Sequence, residues 1–233
     1  MIQSPLNYTG GKYKLLPQIL PLFPKNINVF LDLFCGGCNV GINVDCNQVI
    51  YNDLNENLLR IYNTFKDLDK ETVLKWIYEI IEKYRLSLVS KNGYDYYGCE
   101  SSKGLGNYNR DGFLKMRADF NQKRTNGNVD YYYYVMLYVI IAYAFNNQIR
   151  FNSNGEFNLP VGKRDFNKKM EQKLNNISDE ASFKKTFFNI MHLFKAKATL
   201  SDYLDLNRRY IKTTDVVLFE DNTIKLDIIP KHF

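Results

Sequence analysis

Asn28-Val-Phe-Leu-Asp-Leu-Phe-Cys-Gly-Gly-Cys-Asn-Val-Gly-Ile-Asn-Val44 is the stretch that decides the fold class. Val29, Phe30, Leu31 and Leu33 make a short apolar run that stops at a glycine pair, and Val40, Ile42 and Val44 then resume an apolar face. The pattern reads as a strand, a tight turn and a helix. Gly36 and Gly37 carry no Cβ, so the backbone can take positive φ there and approach a ligand closely, while the following helix offers N–H groups without intrahelical partners. Asp32 falls at the carboxyl end of the strand, where open α/β sheets bind ligands, and a carboxylate there suits a cationic or hydroxyl-bearing group.

Gln48-Val-Ile-Tyr51 reads as a second short strand. It ends in Asn52-Asp53, ahead of a helix that begins near Leu54 and carries Leu58, Leu59, Ile61, Tyr62 and Phe65 on one side. In nucleotide-binding α/β units a carboxylate about 20 residues beyond the glycine loop takes the ribose hydroxyls, and Asp53 stands at that distance. The same residues also fit a plain βαβ unit in which Asp53 caps a helix.

The chain has 233 residues, 45% hydrophobic and 24% charged, enough for one large domain or a domain with an insertion. A net charge of +6 and a pI near 8.9 favour an anionic partner. The sequence has no apolar run of the length that crosses a membrane and no signal-peptide pattern, which predicts a cytoplasmic location without membrane association. Cys35 and Cys38 have C-x-x-C spacing, but neither Cys46 and Cys99 nor the histidines supply a second pair, so no metal site is expected.

Ser4-Pro-Leu-Asn-Tyr-Thr-Gly-Gly-Lys12 is a loop with its own glycine pair and a cation, leading into a short amphipathic segment, Tyr13 to Leu20, that breaks at Pro21 and Pro24. Its backbone amides and Lys12 suit a carboxylate or phosphate, although it is no Walker motif, and an ordinary turn reads the same. From Leu58 to Tyr84 apolar positions recur at helical spacing, among them Val73, Trp76, Ile77, Ile80 and Ile81. The polar, Gly-rich stretch from Ser87 to Asn109 reads as a mobile loop or the mouth of an insertion. Phe113 to Phe120 resumes a helix, and the Tyr-rich apolar run from Asp130 to Phe145 reads as a buried helix.

Asn146 to Arg164 carries a hairpin signal: Ile149-Arg-Phe-Asn152 and Glu156-Phe-Asn-Leu159 alternate around Ser153-Asn-Gly155. Arg, Asn, Gln and Lys are the side chains that read base edges in the major groove, where a two-stranded ribbon fits, although a solvated structural hairpin would be equally polar. Asn167 to Ser178 reads as a polar connector, Phe183 to Phe194 as an amphipathic helix, and Thr199 to Tyr203 as a strand end. Asp215 to Phe219 reads as a buried strand.

In this order the pieces resemble the DNA adenine methylase family, the adenine-specific DNA methyltransferases that use S-adenosyl-L-methionine, and most of all its phage-type branch. Tyr8-Thr-Gly10-Gly11-Lys12 resembles the family's amino-terminal cofactor motif, Asp32-Leu-Phe34-Cys-Gly36-Gly37 its glycine loop, and Asn52-Asp53 its ribose-binding position. Phe145-Asn-Asn147-Gln148-Ile-Arg150-Phe-Asn152, with Phe157-Asn-Leu-Pro160-Val-Gly-Lys163-Arg164, resembles its target-recognition hairpin. The resemblance implies a Rossmann-like α/β methyltransferase core with an inserted recognition domain, divided as 1–66, 67–178 and 179–233, the core lacking its last strands. It implies S-adenosyl-L-methionine as cofactor, held also by an acidic-aromatic pair such as Asp202-Tyr203, and duplex DNA with a GATC-like site as partner.

The family's Asp-Pro-Pro-Tyr motif, which holds the amino group and ring of a flipped adenine, should close the strand Asp215 to Phe219. Glu220-Asp221-Asn-Thr223 stands there instead. The expectation is therefore an adenine-N6 methyltransferase with slow or absent turnover, with Glu220 and Asp221 at the degenerate catalytic position. The alternatives are a catalytically inactive DNA-binding remnant and a subunit completed by a second chain.

Overall fold

The computed structural model describes residues 1–178, apart from Thr9, Leu33 and Leu54, and the strand Val216–Leu218. The chain divides into two compact units, one made of Met1–Ser4, Gly10–Leu59 and Asp179–Phe233, the other of Pro5–Thr9 and Arg60–Ser178. Among the described residues, no helix is long and apolar enough to cross a membrane.

The first unit is α/β. Short helical turns at Tyr13–Leu15, α1 (Leu16–Ile19) and Leu20–Leu22 lead into β1 (Ile27–Asp32), α2 (Asn39–Asn43) and β2 (Cys46–Tyr51). Pro17 and Pro21 each sit in the first turn of their segment, where a missing N–H costs nothing. With β3 (Val216–Leu218) these strands form a parallel sheet ordered β2-β1-β3. The register pairs Asp32 with Tyr51 on one side and with Leu218 on the other, so all three strands end at one edge. Parallel strands are covered on both faces, and the apolar run of β1 obeys that rule, with Phe30 and Leu31 buried.

Helix α2 lies so close to the sheet that a Cβ on Gly41 would collide with the Tyr51 ring and meet Val49 Cγ1 at 2.9 Å. Asn39 and Asn43, one turn apart on α2, strap the chain start down: Asn43 Oδ1 accepts the Ile2 N–H at 2.7 Å, and Asn39 Oδ1 accepts that of Ser4 at 3.0 Å.

Helix α3 (Glu56–Asp67) contains the division between the units, and the second unit is helical. Its core is α7 (Tyr131–Tyr143), in which every residue from Val135 onward is buried, which is why the sequence shows no polar face there. Helices α4 (Lys70–Lys83) and α6 (Ser102–Thr125) pack against α7. Asp69 and Asp130 cap α4 and α7, their carboxylates accepting the N–H groups of Thr72 and Tyr133 at 2.7 and 2.8 Å. Phe120 stacks on Tyr133 with ring centroids 4.2 Å apart.

The helical spacing from Leu58 to Tyr84 is carried by two helices, because Asp69 caps a new start. Two expectations need correction. The segment from Ser87 to Asn109 is not a loop: it holds α5 (Val89–Asn92), a turn at Asp95–Tyr97 and the first two turns of α6, opened by Ser101, whose hydroxyl accepts the Lys103 N–H. Gly93 and Gly98 turn the chain at positive φ, and the glycines of α6 serve close approach. A Cβ on Gly104 would sit 2.7 Å from Cys99 Sγ, one on Gly106 would lie 3.2 Å from the Gly162 carbonyl, and one on Gly112 would overlap the Tyr84 carbonyl. The connector from Asn167 to Ser178 is helix α8 (Lys168–Ser178), with Met170, Leu174 and Ile177 buried on one face and Asn167 Oδ1 accepting the Lys169 and Met170 N–H groups. Three apolar residues among lysines and asparagines are a weak periodic signal, and burial decided it. The expected helix from Phe183 to Phe194 and strand end at Thr199 to Tyr203 lie outside the described residues.

Gly112→Ala tests the close approach of α6 to the turn after α4. Overpacking against a backbone carbonyl, which cannot swing away, should lower stability by about 1–3 kcal/mol in urea unfolding, and an unchanged midpoint would show that the two segments separate easily.

Candidate functional site

Two sites are built separately, one in each unit. In the first, the exits of β1 and β2 are laced together: the Asp32 carbonyl accepts the Asn52 N–H at 2.9 Å, and the Asn52 carbonyl accepts that of Cys35 at 2.9 Å. Asp53, 8% exposed, joins the glycine loop to the next helix. One carboxylate oxygen accepts the Gly36 N–H at 2.9 Å and the other that of Asn55 at 2.8 Å, just before α3 starts. Gly36 turns the chain with φ +45°, and Cys38 follows at φ +56°, a left-handed value unusual outside glycine. Asp32, 2% exposed, accepts the Gly41 N–H at 3.2 Å. The expected offer of free N–H groups is thus partly taken by the chain's own carboxylates.

Phe34 follows β1 with 45% of its surface exposed, an aromatic face at the strand-end edge. Gly10, at φ +81°, is open: a Cβ there would have nothing within 4 Å. Gly11 is exposed as well, and Lys12 Nζ reaches back to the Gly10 carbonyl at 3.2 Å. Tyr8 is half-buried in the second unit. Cys35 and Cys38 are buried thiols that form no disulfide. Burial, with Cys38, Asp32 and Asp53 nearby, pushes the Cys35 thiol well above its usual range, which keeps it protonated and inert. Among the described residues, no group of three or more metal-ligating side chains occurs.

In the second unit, residues 150–158 form the hairpin. Phe151 and Phe157 face each other across an antiparallel bridge, and the Asn152 N–H donates to the Glu156 carbonyl at 2.9 Å. Asn152 builds the turn itself: its Oδ1 accepts the N–H groups of Asn154 and Glu156, and its Nδ2 donates to Glu156. Arg150 is exposed and held flat along the opposite strand, Nε donating to Asn158 Oδ1 at 2.8 Å. Asn147 is 3% exposed and closes α7, its Nδ2 donating to the carbonyls of Ala142 and Ile141. Gln148 is half-buried, whereas Pro160, Lys163 and Arg164 are exposed, Arg164 donating to Asn147 Oδ1 at 3.5 Å.

Helix α6 carries the hairpin on one polar stripe. Arg117 donates to the Leu159 carbonyl at 2.7 Å, Asn121 exchanges hydrogen bonds with the backbone of Phe157, and Arg124 donates to the Asn154 carbonyl at 2.9 Å. Sequence reading missed this stripe, although its spacing of four and three residues was visible. It also missed Gly41, while Phe145, the first residue of the hairpin motif, is 48% exposed beside Asn146 and Asn147 at φ +54° and +51°. Asp202, Tyr203, Glu220 and Asp221 lie outside the described residues.

Asp53 and Phe34 can be separated by stability. Asp53→Ala strands two backbone N–H groups and should lower the unfolding free energy by on the order of 2 kcal/mol, while Phe34→Ala, at a surface ring, should stay within about 0.5 kcal/mol. Equal unfolding midpoints for the two variants would remove the structural role given to Asp53.

Residues 8–205 match the family model described as D12 class N6 adenine-specific DNA methyltransferase. The chain is 37% identical over 220 residues to modification methylase StsI of Streptococcus sanguinis, a match covering 91% of this chain and 29% of that protein. It is 41% identical over 162 residues to type II methyltransferase M.FokI of Planomicrobium okeanokoites, covering 70% of this chain and 21% of that one. With the DNA adenine methylase of Escherichia coli (strain K12) it shares 26% identity over 159 residues, 68% of this chain and 47% of the relative. The chain thus spans less than half the length of each of these relatives. A match over residues 8–205, running from the Tyr8 motif through the glycine loop and the hairpin, makes this chain a member of the D12 class N6 adenine-specific DNA methyltransferase family.

Proposed function

We propose that the chain binds S-adenosyl-L-methionine and duplex DNA and serves methylation of adenine at N6 in a short, GATC-like site. The observation that carries the reading is a strand-end cradle on one unit together with a braced, exposed polar hairpin on the other, within a chain of this family. Neither the inactive-remnant reading nor the partner-completed subunit is favoured by the family match.

The first site fits the cofactor. A carboxylate has about four acceptor positions, and Asp53 uses one on each oxygen for the loop, which leaves acceptors for a ribose diol. Asp32 can face the amino-acid ammonium, Phe34 offers a ring for the adenine, and the open Gly10-Gly11 turn with Lys12 suits the carboxylate. Asp202 and Tyr203 belong to this set by resemblance. When bound, the cofactor supplies an electrophilic methyl group, and the task left to the protein is geometry. The core is then Rossmann-like, 1–66 and 179–233, with 67–178 as the inserted recognition part.

On the DNA side, Arg150 is the base reader. Its Nε is fixed by Asn158, so the guanidinium is held in one plane before it meets a base edge. Gln148 and Pro160 flank it, Lys163 and Arg164 meet phosphates, and Asn147 and Asn152 shape the surface from within. Exposed Phe145 offers an apolar face suited to base stacking. Arg150→Ala should cost about 1–3 kcal/mol in duplex affinity and relax preference at one base pair. Lys163→Ala should weaken all sequences alike and lessen the salt slope by about 1. Equal loss on every duplex with Arg150→Ala would refute base reading.

Glu220 and Asp221 are the only acids at the position where the family motif would accept the adenine amino hydrogens. Thr223 gives no ring to stack on, and Glu is one methylene longer than Asp, a displacement of about 1 Å that can cost about 10²-fold. In a radiolabelled methyl-transfer assay on GATC-containing duplex, the chain should bind cofactor, measured by calorimetry and weakened by Asp32→Ala, yet turn over very slowly. Rapid turnover would make Glu220 or Asp221 a working substitute, and absence of cofactor binding would overturn the proposal.

A further inference from the structure

A cavity of about 350 Å³ in the second unit is lined by Lys163, Arg164, Lys168 and Lys169, with Ser90 and Ser102 on its wall. All four cations are exposed, and among the described residues none of them lies in an ion pair. The acid on the same wall, Asp165, is 6% exposed and turned inward, its carboxylate accepting the Val89 N–H at 2.6 Å and the Ser87 hydroxyl at 3.5 Å. Burial raises the Asp165 carboxyl above its usual range, so what negative charge it carries is set against the backbone inside.

Lys168 and Lys169 stand in the first turn of α8, whose N-terminal N–H groups favour anions, so two cations there oppose the helix's own field. Like charges on Lys163 and Arg164 line the same cavity. Lys173, buried one turn further on, is pushed below its usual range by burial and by Lys169. Four like charges around one cavity repel one another, and an anion seated among them relieves that repulsion.

We propose that this cavity seats a phosphodiester of the duplex, contacted by Lys168 and Lys169 beyond the base pairs that the hairpin reads. The inference rests on the DNA-binding reading above. Lys168 and Lys169 then act as a clamp on flanking backbone, blind to sequence, and the duplex must be longer than the recognition site to reach them. The same chemistry would accept free phosphate, and the experiment separates the two sources.

The test compares the full chain with Lys168→Glu, Lys169→Glu and the double Lys168→Ala/Lys169→Ala variant by fluorescence anisotropy on labelled duplexes, one long and one trimmed to the site, across a salt series. On the long duplex the double alanine variant should lower the slope of log affinity against log salt by about 1–2, with equal loss for cognate and non-cognate sequences. On the trimmed duplex it should match the wild type. Both glutamate variants should melt at a higher temperature than the wild type, since each removes repulsion and suits the helix terminus. Wild-type binding to the long duplex with an unchanged slope in the alanine variant overturns the clamp while leaving the DNA reading intact. A wild-type chain that binds neither duplex overturns the DNA reading and the clamp with it. Inorganic phosphate that competes at millimolar concentration without any dependence on duplex length assigns the cavity to a free anion and overturns the clamp as well.

Discussion

The carboxylate of Asp53 is the interaction on which the first unit depends. It accepts the N–H of Gly36 from the loop after β1 and the N–H of Asn55 from the start of the next helix, so one buried charge fixes two chain reversals at the end of the sheet. Charge-assisted hydrogen bonds of this kind are about twice as strong as neutral ones. Removing the carboxyl group would leave these donors without acceptors. Gly36 at positive φ and Cys38 in a left-handed conformation are held where that carboxylate and the Asn52 backbone put them. The strand-end loop is therefore held in shape by the chain's own carboxylate and backbone.

A different constraint governs the second unit. Its apolar centre, α7, has no polar side, so it must be enclosed on every face, and the helices around it approach at glycines. Gly112 on α6 meets the turn after α4, and Gly106 meets the backbone of Gly162 beyond the hairpin. The same helix then turns Arg117, Asn121 and Arg124 toward the hairpin and satisfies its carbonyls. A two-stranded ribbon is marginal alone. Here it borrows the rigidity of a 24-residue helix.

The parallel βαβ start of the chain was legible because its signals are local: an apolar run, a glycine pair and a second run, with Asp32 and Asp53 at the strand ends. The strand near residue 216 was legible for the same reason, and it pairs with β1. The opening of α6 was not, since Gly104 and Gly106 look identical whether they loosen a loop or admit a neighbouring backbone, and only the fold distinguishes the two. Helix α8 was hidden by its lysines and asparagines. Among site residues, Asn147 and Asn152 have the composition of base readers, and their amides also satisfy backbone groups at the end of α7 and within the hairpin. An amide side chain serves both purposes equally, so its role follows from what lies within 3 Å of it.

The two units use charge in opposite ways, and this gives the modest excess of +6 its meaning. In the first, Asp32 and Asp53 are buried against backbone N–H groups, where they organise the strand ends and retain acceptor capacity toward a ligand. In the second, lysines and arginines gather on the surface around the hairpin and the adjoining cavity, with the nearby carboxylate of Asp165 turned inward. Net charge alone is a weak guide to a partner, since six charges spread evenly over a chain of this size would hardly attract an anion across a Debye length of about 8 Å. Four cations around one cavity, none of them in an ion pair among the described residues, produce a local field that a polyanion can answer. A surface carrying that field bears a cost in stability when nothing is bound, and the braced hairpin and enclosed α7 are the features that let the second unit tolerate it.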